Sequence, residues 1–445
     1  MKSATCDLKI VMSVAAALAA GFVGTARAVT LDDLIGAALS NSPALRSADF
    51  KIDSANAQAG QAASAWYPQV KAGAQYARTD NPPQAFFMNL NQRSASLQKD
   101  FNNPPDTENL RLGASAGWML YDGGQRKLGI RMAQLGVEGQ RLGRAIAVNE
   151  LVHNITRGWY GAMQARAAAA VAEKAEKSWA ESLRLARDRV AAGAAVKSDV
   201  LNLEVKLAEA KQQQQQAKNG CSLAVASLNA AVGQGTLTTD SIRDAQAPSL
   251  IYSAPTNLDV HSRAELQAAR LMTRLKEAAL RKAQRQYAPT VSAFAELDWD
   301  SDVSTDMQRS YLAGVAAEVN LFDGGRTRKG IAEAKADLES ARADEEQARE
   351  MLTLDLTRAR LALDDARTKL EVSKSNIVNA DEALRMTRVR YQQGAASIAE
   401  LLGAETMLSG AQFDTVAAEY GIRIAQSDLV RAQGLYAARY SEGAK

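Results

Sequence analysis

The chain has 445 residues, of which 5% are aromatic and 23% are charged. Its 53 basic and 50 acidic side chains leave a formal net charge of +3 and form no basic stripe, so nothing in the composition indicates nucleic-acid binding. Ala, Leu, Gln, Glu, Arg and Lys dominate, which is typical of long helices packed through small side chains.

The first 28 residues have the three parts of a secretory signal. Lys2 and Lys9 provide the basic part, residues 10–23 are apolar, and Ala26-Arg27-Ala28 provides the small residues of a cleavage site. A transmembrane anchor is the alternative, but it needs about 20 apolar residues. We therefore predict that residues 1–28 are removed.

Cysteine usage excludes two kinds of site. Cys6 lies within the predicted signal, so no cysteine stands at the mature start to carry a lipid anchor. Cys221 is then the only cysteine of the mature chain, which excludes an internal disulfide and a thiolate metal site. We interpret Cys221 as a small, buried, apolar residue.

Four segments alternate apolar and polar residues with the period of two that a β-strand requires. Each has roughly the 9 to 11 residues that a tilted strand needs to cross a bilayer, with one apolar face and one polar face. The predicted strands are Val70–Tyr76, Leu110–Leu120, Val291–Trp299 and Tyr311–Leu321. Between the first two strands, the stretch from Asn81 to Pro105 is rich in proline and asparagine and predicts a loop.

Four strands cannot close into a barrel by themselves, and an open sheet edge is not tolerated in the hydrocarbon core. Membrane barrels start at about eight strands, so two or three chains must share one barrel. A soluble sheet with one buried face is the alternative, and the secretory signal argues against it.

Two long blocks without proline predict helical hairpins. All nine prolines lie outside residues 106–247 and 290–445, and interior proline breaks a helix. In the second block, a heptad series of large residues runs beside a series of small ones, which favours close coiled-coil contacts. The large series is Leu356, Leu363, Leu370, Ile377, Leu384 and Tyr391, and the small series is Ala359, Ala366, Ser373 and Ala380. If residues 326–391 form one helix, its length is roughly 100 Å.

The whole unit occurs twice. Tyr121-Asp-Gly-Gly124 recurs as Phe322-Asp-Gly-Gly325, and Gly193 recurs as Gly394, 201 residues later in both cases. Upstream, Pro68 recurs as Pro289, so the first copy carries extra residues within its strand pair. We predict a first repeat over residues 29–244, a connector over 245–262, a second repeat over 263–434 and a C-terminal tail over 435–445.

These motifs, in this order and spacing, resemble the TolC family of outer-membrane efflux proteins over essentially the whole mature chain. The resemblance rests on Leu120-Tyr-Asp-Gly-Gly124, Leu321-Phe-Asp-Gly-Gly325, Asn41-Ser-Pro-Ala-Leu45, and the turns at Gly193 and Gly394. It implies an α+β membrane protein that forms a homotrimer. Four strands per chain would make a twelve-stranded β-barrel in outer-membrane lipid, continuing into a long periplasmic α-helical coiled-coil barrel. The connector and C-terminus would form an equatorial region.

The resemblance also implies a passive exit duct and not an enzyme. Such a duct conducts cargo to the exterior from an inner-membrane pump, to which a periplasmic adaptor (membrane fusion) protein joins it. Efflux of drugs, metal ions or other toxic compounds and type I protein secretion both stay open, because the pump chooses the cargo. The segments Leu90–Arg93 and Asp100–Asn103 are similar to those of efflux-associated members, so small-molecule efflux is favoured.

We interpret the two Asp-Gly-Gly motifs as architectural strand-to-helix turns. An Asp at a helix start can accept bonds from backbone amides, and Gly permits a sharp turn without a Cβ clash. A metal or phosphate role would need partners that are absent nearby. The residues concerned are Asp122, Gly123, Gly124, Asp323, Gly324 and Gly325.

In the family, the hairpin tips form the periplasmic mouth, and polar contacts there hold it closed. Gly193 and Gly394 mark the two tips here. Carried over by position, Asp199 matches an acid and Tyr391 matches the tyrosine that bonds to it, whereas Glu400 matches the first acid of a constricting ring.

The chain departs from the family pattern at two places near the second tip. An arginine of the family is replaced by Ala396, and the second ring acid is replaced by Gly403. We therefore expect a mouth held by fewer charged contacts and a ring of three carboxylates in a trimer.

An enzyme and a structural coiled-coil surface protein are the competing classes. His153 and His261 are the only histidines, and neither belongs to a metal-spaced or catalytic arrangement, so we expect no catalytic residue, metal site or cofactor. A structural coiled coil would explain the heptads, but it leaves the membrane-length strands unexplained.

Overall fold

The computed structural model describes residues 29–96, 98, 100, 102–233, 237–239, 260–302 and 306–441. The predicted signal, most of the predicted connector and the last four residues of the predicted tail lie outside the described residues. The described chain divides into two compact units. One contains residues up to 47, 144–264 and 350 onwards, and the other contains residues 48–143 and 265–349.

The same succession of elements occurs twice: a helix, a pair of strands, a very long helix and a shorter helix that follows it. In the first copy these are α1 (Leu31–Asn41), α2 (Pro43–Ser64), β1 (Gln69–Thr79), α3 (Pro82–Asn91), β2 (Thr107–Tyr121), α4 (Gln125–Ala191) and α5 (Lys197–Val232). In the second they are α6 (Ala264–Gln284), β3 (Thr290–Ser301), β4 (Gln308–Glu318), α7 (Arg326–Gln392), α8 (Ile398–Ala432) and α9 (Leu435–Ser441). The predicted duplication and the predicted long helices are confirmed, since α4 and α7 each have 67 residues.

The four strands form one antiparallel sheet in the order β1-β2-β3-β4. Its register keeps the predicted alternation in phase across the sheet, because Ala72 lies opposite Ala114 and Ala114 lies opposite Leu297. On the other face, Arg111 lies opposite Asp300. The sheet therefore has a mainly apolar face and a mainly polar face, with Phe294 and Leu312 as apolar residues on the polar one.

The last strand is shorter than its sequence pattern predicts. The alternation predicts a strand as far as Leu321, whereas β4 ends at Glu318. Glu318 pairs with Thr290, the first residue of β3, so the neighbouring strand offers no further backbone partner beyond this point. Backbone pairing and not the alternation sets the end of the strand.

The prediction of a loop between β1 and β2 is partly wrong, because this segment contains the ten-residue helix α3. Asn81, which reads as a turn residue, is the N-cap of this helix, and its side chain accepts a bond from the Gln84 amide. Proline is well tolerated in the first helical turn, since the N–H groups there have no intrahelical partner. Asn-Pro-Pro therefore begins a helix here.

The heptad positions of α7 are buried or half-buried as predicted. Leu356, Leu384 and Tyr391 of the large series are 4%, 3% and 1% exposed. Ala359 and Ala380 of the small series are 7% and 3% exposed. The two series therefore form one packing seam along the helix.

A hydrophobic core lies in the unit that contains α1. The Thr30 and Asp33 side chains form a capping box at the start of α1, and the helix buries its apolar side in a cluster with Ile155 and Trp159 of α4. Cys221 is buried, as the sequence predicts. Of the helices in the described part of the chain, none is both long enough and apolar enough to cross a membrane.

Candidate functional site

The tips of the two helix hairpins have the same backbone geometry. Between α4 and α5, Gly193 has a φ of +71°, and between α7 and α8, Gly394 has a φ of +79°. The amide of the next residue bonds back to an arginine carbonyl in both tips, Ala194 to Arg189 and Ala395 to Arg390, each at 2.8 Å. A left-handed residue in this position ends a helix most easily when it is glycine.

An arginine side chain completes each turn. Arg189 Nη2 donates to the Ala194 carbonyl at 2.8 Å, and Arg390 Nη2 donates to the Ala395 carbonyl at 3.1 Å. These two arginines occupy the same position of the repeat, 201 residues apart. Neither arginine was predicted as a tip residue, although their repeat spacing is visible in the sequence.

The second bond of each arginine differs between the two copies. Arg189 also donates to the Tyr391 carbonyl, and its guanidinium lies over the Tyr391 ring, 4.5 Å from the centroid. Arg390 instead forms an ion pair with Glu400 at 3.2 Å. Arg189 therefore joins the first hairpin to the second, whereas Arg390 stays within its own hairpin.

Tyr391 and Asp199 lie near one another but do not bond within one chain. Tyr391 is 1% exposed, and among the described residues its hydroxyl has no hydrogen-bond partner. Burial raises the pKa of Tyr391, and the charge of Asp199 raises it further, whereas Arg189 opposes both effects. A buried hydroxyl without a partner costs free energy, so this oxygen is well placed to accept or donate a bond.

Asp199 and Glu400 occupy the same repeat position, but their surroundings differ. Glu400 forms a capping box with Ser397 at the start of α8, with both bonds to its Oε1 at 3.2 Å. The Ser397 amide lowers the pKa of Glu400, with the Ser397 hydroxyl and Arg390 adding to the effect. At the corresponding start of α5, the N-cap is Val196, which offers no side-chain bond. The Asp199 carboxylate is therefore outside any capping box.

The two residues that depart from the family pattern, Ala396 and Gly403, have no polar side chain. Ala396 packs against the cluster that contains Tyr391 and Leu401. Gly403 lies in α8, and beyond its chain neighbours and the adjacent helix backbone no described atom lies within 4 Å of the Cβ that an alanine would place there.

A buried ionic cluster holds three helices together between the tips and the core. The Glu405 side chain of α8 is 2% exposed and pairs with Arg388 of α7 at 2.5 Å. Ser178 and Ser182 of α4 donate to the two Glu405 oxygens at 2.7 and 2.5 Å. A buried carboxylate requires such partners. The sequence signal for this cluster is an acid beside the apolar stripe of Leu401 and Leu408, and the cluster was not predicted from it.

Each strand-to-helix turn is closed by its aspartate. Asp122 accepts the Gly124 amide at 3.0 Å, and Asp323 accepts the Gly325 and Thr327 amides at 2.9 and 2.8 Å. The bonds from Thr327 lower the pKa of Asp323. Both glycines of each turn have a φ between +66° and +86°, a region in which a Cβ is strained.

Within the described residues, no group of three or more His, Cys, Asp or Glu side chains is arranged to hold a metal ion. His153 is 5% exposed and contacts Ser427 and Asp428 of α8. Cys221 lies elsewhere, and burial raises the pKa of its thiol. Both residues belong to the packed interior and not to the tips.

Comparison with known proteins identifies related chains over most of this length. The model of the family described as outer membrane efflux protein matches residues 34–234 and 260–435. Protein CyaE of Bordetella pertussis is 26% identical over 395 residues, which cover 84% of this chain and 79% of CyaE. The outer membrane efflux protein BepC of Brucella suis is 25% identical over 335 residues, which cover 73% of this chain and 72% of BepC.

Solved structures share the fold. The outer membrane protein VceC of Vibrio cholerae superposes with a TM-score of 0.75 at 20% identity, over 91% of this chain and 96% of VceC. The two family matches coincide with the two copies of the helix and strand succession described above. Each copy of the sequence duplication therefore corresponds to one match of the family model.

Proposed function

The chain belongs to the outer membrane efflux protein family, and we propose that its duct exports small molecules and closes at the hairpin tips. Members of the family are passive outer-membrane channels and not enzymes. They are homotrimers that work with periplasmic adaptors and inner-membrane pumps. The barrel is therefore shared by three chains, which supplies neighbours for the outer edges of β1 and β4.

The choice of small molecules as cargo is supported by the helix α3. Members of the family serve both efflux and type I secretion. The segment Leu90–Arg93, which is similar to that of efflux-associated members, ends α3 and ties it to the sheet. Gln92 donates to the Glu108 carbonyl at 2.6 Å and to Asn109 Oδ1 at 2.9 Å. An additional helix held on the polar face narrows the outer end of the duct, which suits small cargo better than a polypeptide.

The proposed gate depends on one observation, which concerns the hydroxyl of Tyr391. It is buried without a partner in one chain, beside the Asp199 carboxylate. A small rearrangement of the tips on trimer assembly would give it Asp199 as an acceptor. In this proposal, Asp199 and Tyr391 form the polar contact that keeps the mouth closed, and Gly193 and Gly394 allow the tight tips.

We further propose that Glu400 contributes a ring of three carboxylates at the mouth. The lowered pKa of Glu400 keeps its charge at neutral pH, and a ring of carboxylates favours cations. Replacing Glu400 by Gln keeps the capping geometry and removes the charge. The reversal potential in a salt gradient should then shift towards lower cation selectivity. An unchanged reversal potential would contradict the proposed ring of carboxylates.

The class of cargo can be tested in a Gram-negative host that lacks its own efflux ducts. This host is made to produce the chain together with its adaptor and pump. We expect the host to tolerate higher concentrations of dyes, antibiotics or metal salts than the same host with adaptor and pump alone. Unchanged tolerance, together with a polypeptide released to the medium only when this chain is present, would show type I secretion instead.

A further inference from the structure

The helix α3 is anchored to the polar face of the sheet by a buried chain of bonds. Gln92, at its C-terminal end, is 6% exposed and donates to Asn109 Oδ1. Asn109 Nδ2 donates to Asp300 Oδ1 at 2.7 Å, and Arg111 Nε donates to the same oxygen at 3.1 Å. Asp300 is fully buried. Three strand residues of one face therefore hold the end of the helix.

A second bond ties the segment to the far strand of the sheet. Arg93 has a φ of +57°, in the left-handed region that is unusual for a residue with a side chain. Its Nη2 donates to the Arg309 carbonyl of β4 at 3.2 Å. The backbone thus turns back at Arg93 while its side chain reaches β4, so α3 is held across the sheet.

The face that carries α3 is the face that lines the duct. In an outer-membrane barrel the apolar face contacts lipid and the polar face lines the lumen. The connection that contains α3 lies at the end of the strands opposite the Asp122 turn, which leads into the long periplasmic helix. The helix α3 therefore lies inside the barrel at its outer end.

The side of α3 that points away from the sheet is apolar and exposed in the protomer. Ala85 is fully buried towards the sheet, whereas Phe87 and Leu90 are 62% and 45% exposed. At 100° per residue, Phe87 is on the side of the helix opposite Ala85 and Gln92. The helix, Pro82–Asn91, contains no charged residue, although 23% of the chain is charged. An uncharged helix with an exposed apolar stripe is poorly suited to a water-filled lumen.

The interior of the barrel leaves little space between three such helices. Twelve strands spaced about 4.8 Å apart and tilted by about 40° enclose a barrel of roughly 25 Å diameter, measured between backbones. A helix with its side chains is about 10–12 Å across. Three copies lining the inside therefore approach each other at the threefold axis.

We infer that the stripe formed by Phe87 and Leu90 is a contact surface for the α3 helices of the other two chains. The three stripes together make an apolar outer gate, distinct from the polar contacts at the periplasmic tips. The partner surface has the chemistry of the stripe itself, because residues that lie on a threefold axis meet their own copies there. This inference rests on the proposed function, because an apolar gate of this kind suits only a duct whose cargo is small.

Cysteine crosslinking in the assembled trimer tests the contact. In a Cys221→Ser background, Phe87→Cys is oxidised in outer membranes, and the chains are separated by denaturing electrophoresis without reductant. We expect a covalent dimer as the main product, because one disulfide joins two of the three chains.

The matched control is Met307→Cys in the same background. Met307 is 41% exposed at the same end of the sheet, but it lies with Trp299 and Leu112 on the apolar face. Three lipid-facing positions are far apart, so this variant should give no dimer. If Phe87→Cys gives no more dimer than Met307→Cys, the contact is absent. Should Phe87→Cys fail to assemble, Leu90→Cys replaces it, and a lack of dimer there overturns the inference equally.

Conductance provides a second readout. Phe87→Ser with Leu90→Ser should raise the single-channel conductance of the purified trimer, whereas Phe87→Leu should leave it near the wild-type value because the stripe stays apolar. Equal conductance of all three proteins would contradict a gate. The crosslinking test needs neither pump nor cargo. A negative crosslinking result would therefore not contradict small-molecule export, and a negative export result would not contradict the contact between the α3 helices.

Discussion

The guanidinium of Arg189 lies over the ring of Tyr391, 4.5 Å from its centroid, and donates a hydrogen bond to the Tyr391 carbonyl. The equivalent arginine of the second repeat, Arg390, pairs with Glu400 at 3.2 Å. Of the two tip arginines, only Arg189 therefore reaches across from one hairpin of the chain to the other. The duplication supplied two identical turns, and the contacts beyond the turns differ between the copies.

Arg189→Ala should loosen the contact between the hairpins and open the mouth. The cation–π contact alone contributes on the order of 1 kcal/mol, and the bond to the Tyr391 carbonyl is lost with it. Cells that carry this variant should become sensitive to large antibiotics that the outer membrane normally excludes. Arg390→Ala is the matched control, because it removes the same turn bond without touching Tyr391. Equal sensitivity of the two variants would contradict the role of Arg189.

Arg388→Ala should destabilise the hairpins strongly, because it leaves the buried Glu405 carboxylate without its counter-charge. Removing one partner of a buried pair costs about 3 kcal/mol. Arg385→Ala is the control, because Arg385 and Glu382 form an ion pair whose side chains are 65% and 51% exposed, and such pairs contribute at most about 1 kcal/mol. The thermal midpoint of the helical circular-dichroism signal compares the two. A similar midpoint for both variants would show that the buried cluster is not stabilising.

Gly123→Ala should harm folding more than Gly324→Ala, although both glycines have a positive φ. That backbone conformation alone costs an alanine roughly 1–2 kcal/mol. At Gly123 the new Cβ would also lie 2.3 Å from the Ala288 Cβ, whereas at Gly324 no described residue beyond the two chain neighbours has an atom within 4 Å. The yield of folded trimer in outer membranes measures the difference, and equal yields would mean that the Ala288 contact relaxes freely.

His153 should make stability fall with acidity. Burial lowers the pKa of His153 below its usual value of 6.5, and the neighbouring Asp428 only partly opposes this effect. Below that value the unfolded chain binds a proton that the folded chain does not, so the free energy of unfolding decreases as the pH falls. Thermal midpoints are compared at about pH 7.5 and about pH 5.5. His153→Gln, which cannot titrate, should lose less stability over this interval than the wild type, and an equal loss would exclude His153 as the cause.

The periodic features of the sequence predicted the fold well. Alternation located all four strands, and the heptads from Leu356 to Tyr391 located the packing seam, because burial of one side of a regular element leaves its period in the sequence. The loop prediction around Asn81 was wrong because Asn-Pro-Pro is equally a turn and a helix start. The bond from Gln92 to Asn109 that ties this helix to the sheet joins residues 17 positions apart and is not visible in the local sequence.

The hairpin tips were located from the sequence, but most of their contacts were not. Gly193 and Gly394 mark the tips through the conformation that they permit. The arginines that complete the tips, and the pairing of Glu405 with Arg388, depend on which helices pack side by side. Charged residues are common along exposed helix faces, so an acid in a seam is recognised only once its neighbours are known.

Closure of the duct where Asp199 and Tyr391 meet can be measured as single-channel conductance in planar bilayers. The purified wild-type trimer is compared with the double variant Asp199→Ala, Tyr391→Phe, which removes both polar groups and keeps the packing of the ring. We predict that the double variant conducts substantially more than the wild type when current enters from the periplasmic side. An unchanged conductance would contradict closure by this pair.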